Sequence, residues 1–320
     1  MHPIPNTGLM NSSHTTDFII DNLAPTRKES HSIFLKKTIL TICLTVVYTV
    51  LGFSQETFTS EEQKEKNIWQ LAGYDGKAAL GGLLHAYSRP AHWDKDDWIT
   101  FGAIAGGTAL LYFVDDETSE FFRRQEESTP SFLLEFGDRF GSPQVAYGLT
   151  GSIYLVGLFT KNEKIRKTGV LMISSATVAG LIQTVTKTTV GRSRPGNGLD
   201  KFDFNSFSGE PGFRSFPSGH TILAFTFAHA LARQFDNIWI KTGIYAVGVV
   251  SPISRVVNGA HWLTDVALSM AISVVTVNAI DNYLNKKAYY PGTDLDIRPK
   301  NGISWNFNMG LGRIGITGTF

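Results

Sequence analysis

Three short stretches between residues 187 and 265 decide how this sequence is interpreted: KTTVGRSRP at 187–195, PSGH at 217–220 and SRVVNGAHWLTD at 254–265. They place Lys187, Arg194 and Arg255 in a part of the chain that otherwise carries few charges. Arginine offers a planar fork of donors and lysine a compact point charge, so a phosphate dianion is the natural partner of such cations. The stretches therefore predict an anion-binding site.

The second and third stretches add two histidines and a carboxylate to these cations. Ser218 and Gly219 open an apolar run. The start of a helix exposes backbone N–H groups and the positive end of the helix dipole, and glycine lets an anion approach closely. His261 and Asp265 are four residues apart, so on a helix they share one face. The carboxylate can then hold one imidazole nitrogen and leave the other free to attack, while His220 is available as a proton donor.

Each stretch taken alone has an ordinary structural explanation. The basic stretch is compatible with a helix end that faces solvent or lipid headgroups. A Ser-Gly pair after proline is a common turn, and a His–Asp pair four residues apart often has a structural role. The combination is different, because eleven specified positions occur in order and at fixed inner spacings. Helix packing alone does not require such a pattern, which favours a catalytic site.

This combination resembles the type 2 phosphatidic acid phosphatase superfamily, which also includes the bacterial class A acid phosphatases and the vanadium haloperoxidases. The family pattern is Lys-x6-Arg-Pro, then Pro-Ser-Gly-His, then Ser-Arg-x5-His-x3-Asp, and the sequence matches all three parts. The intervening connections, 21 residues at 196–216 and 33 residues at 221–253, are ordinary for the family. The resemblance covers roughly residues 97–282. It is specific for the fold and the active site and not for the substrate.

The resemblance implies a role for each matched residue. Those expected to bind the phosphoryl oxygens are Lys187, Arg194, Ser218, Gly219 and Arg255. His261 is expected to attack phosphorus and form a phosphohistidine, Asp265 to orient it, and His220 to protonate the leaving alcohol before water releases phosphate. The cations would stabilise the charge that develops on the transferring group. The resemblance implies no metal or other cofactor, and vanadate is expected to act as an inhibitor and phosphate mimic.

The connection at 196–216 is a candidate substrate lid. It contains five phenylalanines and a further cation, Arg214. As a lid it would place Phe213 and Phe216 against a lipid chain and Arg214 near a headgroup. The alternative is a loop that its own aromatic rings hold over the bundle, with no part in binding.

Composition and periodicity predict an all-α fold. The 320-residue chain has a formal net charge of +1 and is 42% hydrophobic, which argues against a nucleic-acid-binding protein and excludes a disordered chain. The single cysteine, Cys43, excludes an intramolecular disulfide. Because no strand–turn–helix alternation is found, we predict a bundle of about six core helices. The helix-like runs are 98–114, 144–160, 168–186, 220–232, 242–254 and 262–280.

The chain divides into five segments by composition. Residues 1–37 are polar and predicted to be disordered. Residues 38–55 form an apolar stretch behind two lysines that ends in small residues, which is typical of a signal peptide or an anchor helix. The chain that follows is expected to be exported. An amphipathic polar segment, 56–96, precedes the phosphatase helical domain, 97–285. The tail, 286–320, is predicted to be short and β-like or irregular, since its apolar residues alternate.

Membrane spans are predicted less clearly than the site. Spanning a bilayer takes about 17–25 apolar residues. Three runs reach that length and two are too short; the former are 98–114, 144–160 and 168–186, and the latter 221–232 and 242–254. The basic stretch KNEKIRK at 161–167 is typical of a cytoplasmic loop, and this places the active site outside the cytoplasm. We expect either a bacterial inner-membrane protein with a periplasm-facing site or a periplasmic protein.

The sequence predicts a metal-independent phosphatase that acts on a phosphomonoester or pyrophosphate of a lipid. Phosphatidate, phosphatidylglycerophosphate, undecaprenyl pyrophosphate and a lipid A type substrate all fit. The expected partners are the lipid phosphate and the membrane, with no nucleic acid and no obligate protein partner. The alternatives are a soluble periplasmic acid phosphatase of broad specificity, a vanadium-dependent haloperoxidase and a catalytically inactive membrane protein. The presence of all eleven positions argues against the last alternative.

Overall fold

In a computed structural model of the protein, the middle part of the sequence, from residue 68 to residue 286, is mostly helical. The structure describes residues 66–287 and 289–290, and the backbone alone of 304–310 and 313–319. Within this part the helices are α1 Ile68–Ser88, α2 Lys95–Tyr112, α3 Asp115–Arg124, α4 Ser131–Phe140, α5 Pro143–Phe159, α6 Glu163–Val190, α7 Gly219–Ala232, α8 Ile238–Gly248, α9 Val250–Val257 and α10 Leu263–Lys286. Each of the six predicted runs falls on one or two of these helices, and the all-α class is confirmed. The predicted segments 1–37 and 38–55 lie outside the described residues.

Two helices, α3 and α4, fill a connection that hydrophobic runs alone do not reveal. Each has only ten residues. α3 begins with Asp115, Asp116 and Glu117 and ends with Arg123 and Arg124. Acids in the first turn and cations in the last turn both complement the helix dipole, which stabilises so short a helix. The bundle therefore contains more than the six helices expected.

In the described part of the tail the backbone forms two strands, β1 Ser304–Gly310 and β2 Arg313–Thr319. They pair antiparallel, with Phe307 opposite Ile316 in the register. β1 lies within the alternating part of the 286–320 tail, where the sequence predicts strand-like structure.

Helix α6 begins earlier than the hydrophobic run indicates. Asn162 caps it, because its side chain accepts a hydrogen bond of 3.0 Å from the backbone of Ile165. Most of the KNEKIRK stretch is therefore the first turn of α6, and its interpretation as a loop is wrong. Arg166 and Lys167 are buried in this turn. Their charges serve internal pairs, because burial without a partner would be costly.

A buried ion pair ties α1 to the rest of the bundle. The guanidinium of Arg166 donates to both carboxylate oxygens of Asp75 at 2.9 and 2.7 Å. The hydroxyls of Tyr290 and Tyr154 also donate to this carboxylate, at 2.8 and 3.2 Å. These contacts join α1, α5, α6 and the chain after α10. The packed bundle therefore extends to α1, before residue 97.

Helix α7 lies at the centre of the bundle. It packs against α6, α8 and α10, and eleven of its fourteen residues are buried. The buried side of α7 contains alanines and phenylalanines together with His229. The two nitrogens of His229 face the Tyr245 hydroxyl at 2.7 Å and the Asn278 amide oxygen at 3.0 Å. This histidine is part of the packing between helices.

Among the described residues, three helical segments are long and apolar enough to cross a membrane: α6, the continuous α8–α9 segment at Ile238–Val257, and α10. Helices α2 and α3 meet the same test only as a pair bent by 64°. The predicted run at 144–160 becomes α5, which has 17 residues and falls short of the test. The uncharged run at 242–254 is too short to span a bilayer by itself, but the helical segment that contains it extends from residue 238 to residue 257. Length and composition thus favour partly different spans from those expected.

Candidate active site

The end of α6 positions the first basic stretch. Lys187 lies in the last turn of α6 and is buried. The helix ends at Gly191, whose φ of 60° is left-handed. A Cβ at this position would collide with the carbonyl oxygen of Asn205, so both the backbone conformation and the space require glycine. The turn at Gly191 directs the chain to Arg192 and Arg194.

The PSGH stretch forms the N-terminus of α7, as predicted. Ser218 is buried and caps the helix, since its hydroxyl accepts hydrogen bonds from the backbone and the hydroxyl of Thr221. Gly219 is the first helical residue. The amides of Gly219 and His220, the first two of α7, have no carbonyl partner within the helix and are available to an anion at this end. His220 follows and is half-buried.

His261 and Asp265 form the expected pair at the start of α10. The Nδ1 atom of His261 lies 3.4 Å from a carboxylate oxygen of Asp265, and both residues are buried. This distance is long for a hydrogen bond, as is common in catalytic sites before the substrate binds. The carboxylate fixes the Nδ1 side of the ring and leaves Nε2 as the nitrogen that can attack phosphorus.

Asp265 is itself held by three further donors. The guanidinium of Arg192 donates to it at 2.8 Å and the backbone N–H of Trp262 at 2.9 Å. The hydroxyl of Ser215 donates to the same carboxylate. With these partners Asp265 remains an oriented anion, even though it is buried.

Arg192 links this carboxylate to α3, and sequence reasoning missed its role. Its other terminal nitrogen forms an ion pair of 2.8 Å with Asp115, and both residues are buried. Asp115 in turn accepts a hydrogen bond of 3.0 Å from the backbone of Thr264. The guanidinium lies 4.4 Å from the centre of the Tyr112 ring. The signal in the sequence is the first arginine of KTTVGRSRP, which a solvent-facing helix end explains equally well.

The three cations of the motif converge on the space beside His261. Arg194 and Lys187 both lie close enough to lower the pKa of His261, and Arg255 lowers the pKa of Arg194. Lys187 has no ion pair within the described part of the chain, and Arg194 donates only to backbone carbonyls there. The Nε atom of Arg255 is buried and has no acceptor among the described residues. Donors left in this state fit a multiply charged oxyanion.

The electrostatics keep His261 neutral. Burial, together with the charges of Lys187 and Arg194, lowers its pKa to about 3 against the opposing effect of Asp265. The imidazole is therefore unprotonated across the physiological pH range. An unprotonated Nε2 carries the lone pair that a nucleophile requires.

His220 has an acidic neighbour that the motif does not include. A carboxylate oxygen of Asp138, on α4, lies 3.5 Å from Nε2 of His220 and also pairs with Arg255. Burial, and then Arg255, lowers the pKa of His220 to about 4, whereas Asp138 raises it. Asp138 therefore favours the protonated form of the histidine that is expected to donate a proton. It lies in the 115–143 connection, 82 residues before His220, where no motif marks it.

We expect Asp138→Asn to move the pH dependence of the enzyme. A proton donor is active in its protonated form, so kcat/KM falls as the pH rises through the pKa of His220. Removing the carboxylate lowers that pKa further and shifts this fall to lower pH. At neutral pH the loss is about 2- to 5-fold, the size expected for a half-exposed charge pair. The measurement is kcat/KM against pH on an alkyl phosphate.

The matched control for this experiment is Glu135→Gln. Glu135 lies one turn earlier on α4 and pairs with Arg139 at 2.6 Å, away from His220. The pH profile of this variant should coincide with that of the wild type. A profile of Asp138→Asn that also coincides with the wild type would show that Asp138 does not act on His220.

Of the three candidate lid residues, the structure places only Arg214 beside the phosphate-binding cations. Arg214 lies close enough to lower the pKa of Arg194, and its carbonyl accepts a bond of 3.5 Å from the Arg194 guanidinium. Phe213 ends a short 3₁₀ helix and Phe216 precedes Pro217; both are half-buried. The structure thus brings Arg214 to the site, and a lid role for the two rings stays a prediction. Backbone bonds such as Ser215 N–H to Arg192 carbonyl, 3.0 Å, hold the connection against the first stretch.

The described residues contain no group of three or more His, Cys, Asp or Glu side chains arranged to hold a metal ion. A metal-independent reaction stays a prediction. The groups that the structure does bring together are cations, two histidines and the carboxylates of Asp265 and Asp138.

A helical bundle that gathers three cations, a helix N-terminus and a His–Asp pair at one place defines a phosphoryl-transfer site. Comparison with known families gives the same answer, because the model of the PAP2 superfamily matches residues 168–289, a range that includes all three stretches. The chain belongs to the PAP2 superfamily and is a hydrolase of phosphoric ester bonds. The resemblance found in the sequence is therefore confirmed.

The chain is also similar to individual relatives and to two solved structures. The chain is 32% identical over 198 residues to a lipid A 1-phosphatase of Rhizobium etli, covering 57% of this chain and 81% of the relative. A shorter match, 35% over 63 residues, covers 19% of this chain and 14% of a lipid A 1-phosphatase of Porphyromonas gingivalis. The crystal structure of Aquifex aeolicus LpxE is similar with a TM-score of 0.40 and 24% identity, over 51% of this chain and 94% of that one. A PAP2 type phosphatidylglycerolphosphate phosphatase of Bacillus subtilis is similar with a TM-score of 0.44 and 20% identity, over 57% of this chain and 95% of that one.

Proposed function

We propose that the protein removes the phosphate from a lipid A type substrate, without a metal ion and through a phosphohistidine on His261. The observation that carries the phosphatase chemistry is the His261–Asp265 pair beside Lys187 and Arg194, two cations that form no ion pair within the described residues. The relative named lipid A 1-phosphatase, of which the chain covers 81%, supports the choice of substrate among the lipid phosphates. Lipid A is an acylated sugar phosphate, so both its phosphate and its acyl chains need places in the protein.

In the first step of the proposed reaction, Nε2 of His261 attacks phosphorus. The P–N bond forms as the P–O bond to the sugar breaks, and His220 gives its proton to the departing oxygen. Water then attacks the phosphohistidine, the P–N bond breaks, and His220 takes a proton from that water. Lys187, Arg194 and Arg255 offset the charge on the phosphoryl oxygens in both steps.

The pKa of His220, about 4, is set by burial and by cations that the substrate itself neutralises. A bound phosphate dianion offsets the charges of Arg255, Lys187 and Arg194. We therefore infer that the pKa of His220 rises when the substrate binds, and that Asp138 keeps the proton in place. The donor is then charged when it is needed, although it is mostly neutral in the free enzyme.

We further propose that the protein lies in the inner membrane with the active site facing away from the cytoplasm. Apolar side chains remain exposed along its helices, among them Leu110, Leu155, Phe159, Val185 and Ile253. A bilayer covers such a surface.

Lys187 ends α6 and Asp265 begins α10, so the opposite ends of these helices lie far from the site. Lysines flank that opposite end: Lys161, Lys164, Lys241, Lys286 and Lys287. Basic residues beside membrane-spanning helices favour the cytoplasmic side.

The substrate proposal is tested by phosphate release from four lipids in detergent with excess EDTA: lipid A 1-phosphate, phosphatidate, phosphatidylglycerophosphate and undecaprenyl pyrophosphate. We expect the highest kcat/KM on lipid A 1-phosphate and no effect of EDTA, because the site neutralises the phosphate with its own cations. A higher kcat/KM on another lipid would contradict the choice of substrate. Activity that EDTA removes and magnesium restores would contradict the phosphohistidine reaction.

A further inference from the structure

A groove leads away from the active site between three helices. Its volume is about 500 Å³, within the range of ligand-binding clefts. Gly219 and His220 line the end of the groove that is nearest the active site, so the groove is continuous with the anion-binding site. The floor and walls come from the first turns of α5, from α6 and from α7. His220 is the residue expected to protonate the leaving oxygen, so the groove begins where the leaving group departs.

One face of α6 lines the groove along its length. The residues are three and four positions apart, as on a single helix face: Thr177, Gly180, Leu181 and Thr184. At 1.5 Å per residue, the ten residues from Lys187 to Thr177 extend about 15 Å. This length is half of the roughly 30 Å hydrocarbon core of a bilayer, which is the depth of one leaflet.

The lining is more apolar than its residue types indicate. The hydroxyls of Thr177 and Thr184 donate to the backbone carbonyls of Ile173 and Gly180, both at 2.8 Å. Their donors are therefore used within α6. Ile222 and Leu223 of α7 complete a largely hydrocarbon wall. Such a wall does not favour a second charged group, but it does favour an acyl chain.

We propose that this groove binds an acyl chain of the leaving group during hydrolysis, and that Gly180 determines how long a chain it accepts. This proposal rests on the proposed lipid phosphatase function. A lipid whose phosphate lies among Lys187, Arg194 and Arg255 has its leaving oxygen next to His220. Its apolar part then continues into the groove, which is one leaflet deep. The phosphate and the chain are bound by two parts of a single site.

Gly180 is suited to test this because its substitution does not disturb the packing. A Cβ at Gly180 would meet no atom within 4 Å, so the space beyond it belongs to the groove. The residue is helical, and leucine favours a helix more than glycine does. Gly180→Leu therefore fills the groove, about 10 Å below Lys187, and leaves the phosphate site intact.

The experiment compares alkyl phosphates of increasing chain length, in detergent, with p-nitrophenyl phosphate, which is too short to reach position 180. In the wild type kcat/KM should rise with chain length. In Gly180→Leu the rise should stop at short chains, with a loss of about 10-fold or more on the longest chain and less than 2-fold on p-nitrophenyl phosphate. Two methylene groups at about 0.8 kcal/mol each already correspond to about 15-fold. For Gly180→Ala, kcat/KM on the longest chain should lie between that of the wild type and that of Gly180→Leu.

The matched control is Gly243→Leu. Gly243 lies on α8, is also helical and also has no atom within 4 Å of a Cβ, but it does not line the groove. It should keep the wild-type dependence on chain length. Equal losses of Gly180→Leu on short and long substrates would overturn the groove proposal and leave the phosphatase function standing. A wild type that hydrolyses p-nitrophenyl phosphate but no lipid would overturn the proposed function and the groove with it.

Discussion

His261→Ala should abolish turnover on every phosphate ester, with a loss of at least about 10⁴-fold. The substitution removes the atom that forms the P–N bond, and no other described side chain at the site is placed to replace it. The removal of a nucleophile therefore costs far more than the loss of one phosphate-binding donor. The loss should be the same for good and poor leaving groups. An acid quench after mixing with substrate labelled in its phosphate should trap a phosphoenzyme in the wild type and none in the variant.

The variant is expected to fold, so its inactivity can be interpreted. Asp265 loses only the 3.4 Å contact with His261 and keeps its bonds from Arg192, Ser215 and the backbone of Trp262. The buried carboxylate therefore remains paired. A thermal unfolding midpoint close to that of the wild type would verify this. Trapping of a phosphoenzyme in His261→Ala would show that another residue is the nucleophile.

The sequence alone predicted the parts of the site that lie in short segments of fixed spacing. His261 and Asp265 are separated by one helical turn, so their proximity follows from helix geometry. The same applies to Ser218 and Gly219, whose positions follow from capping of an apolar helix. The fold class followed from apolar runs with no strand pattern between them.

The parts that the sequence did not reveal depend on long-range packing. Asp138 meets His220 and Arg255 only because α4 lies against α9 and beside α7. Arg192 could be assigned to Asp265 only once Asp115 and α3 were placed next to α10. A single charged residue in an amphipathic connection has no spacing that marks it, so its partner stays undetermined until the helices are packed.

His220→Ala should lose far more activity on a lipid alkyl phosphate than on p-nitrophenyl phosphate. A nitrophenolate leaves as a stable anion and needs little protonation, whereas an alkoxide needs a proton as the P–O bond breaks. A positioned proton donor contributes about 10²–10⁴-fold, and this is the expected loss on the alkyl substrate. The loss on p-nitrophenyl phosphate should be at least about tenfold smaller. The measurement is kcat/KM for both substrates with the wild type and the variant.

This dependence on the leaving group separates the two histidines, because His261→Ala should show none. The structure gives a physical reason for the difference: His261 is buried and neutral beside Asp265, whereas His220 is half-buried beside Asp138 and borders the groove of the leaving group. His220→Ala should therefore still form the phosphoenzyme from p-nitrophenyl phosphate, since Nε2 of His261 and the cations remain. Hydrolysis of this phosphoenzyme should be slow, because the missing His220 side chain is also needed to take a proton from the attacking water. Equal losses on both substrates would assign His220 to phosphate binding instead of proton donation.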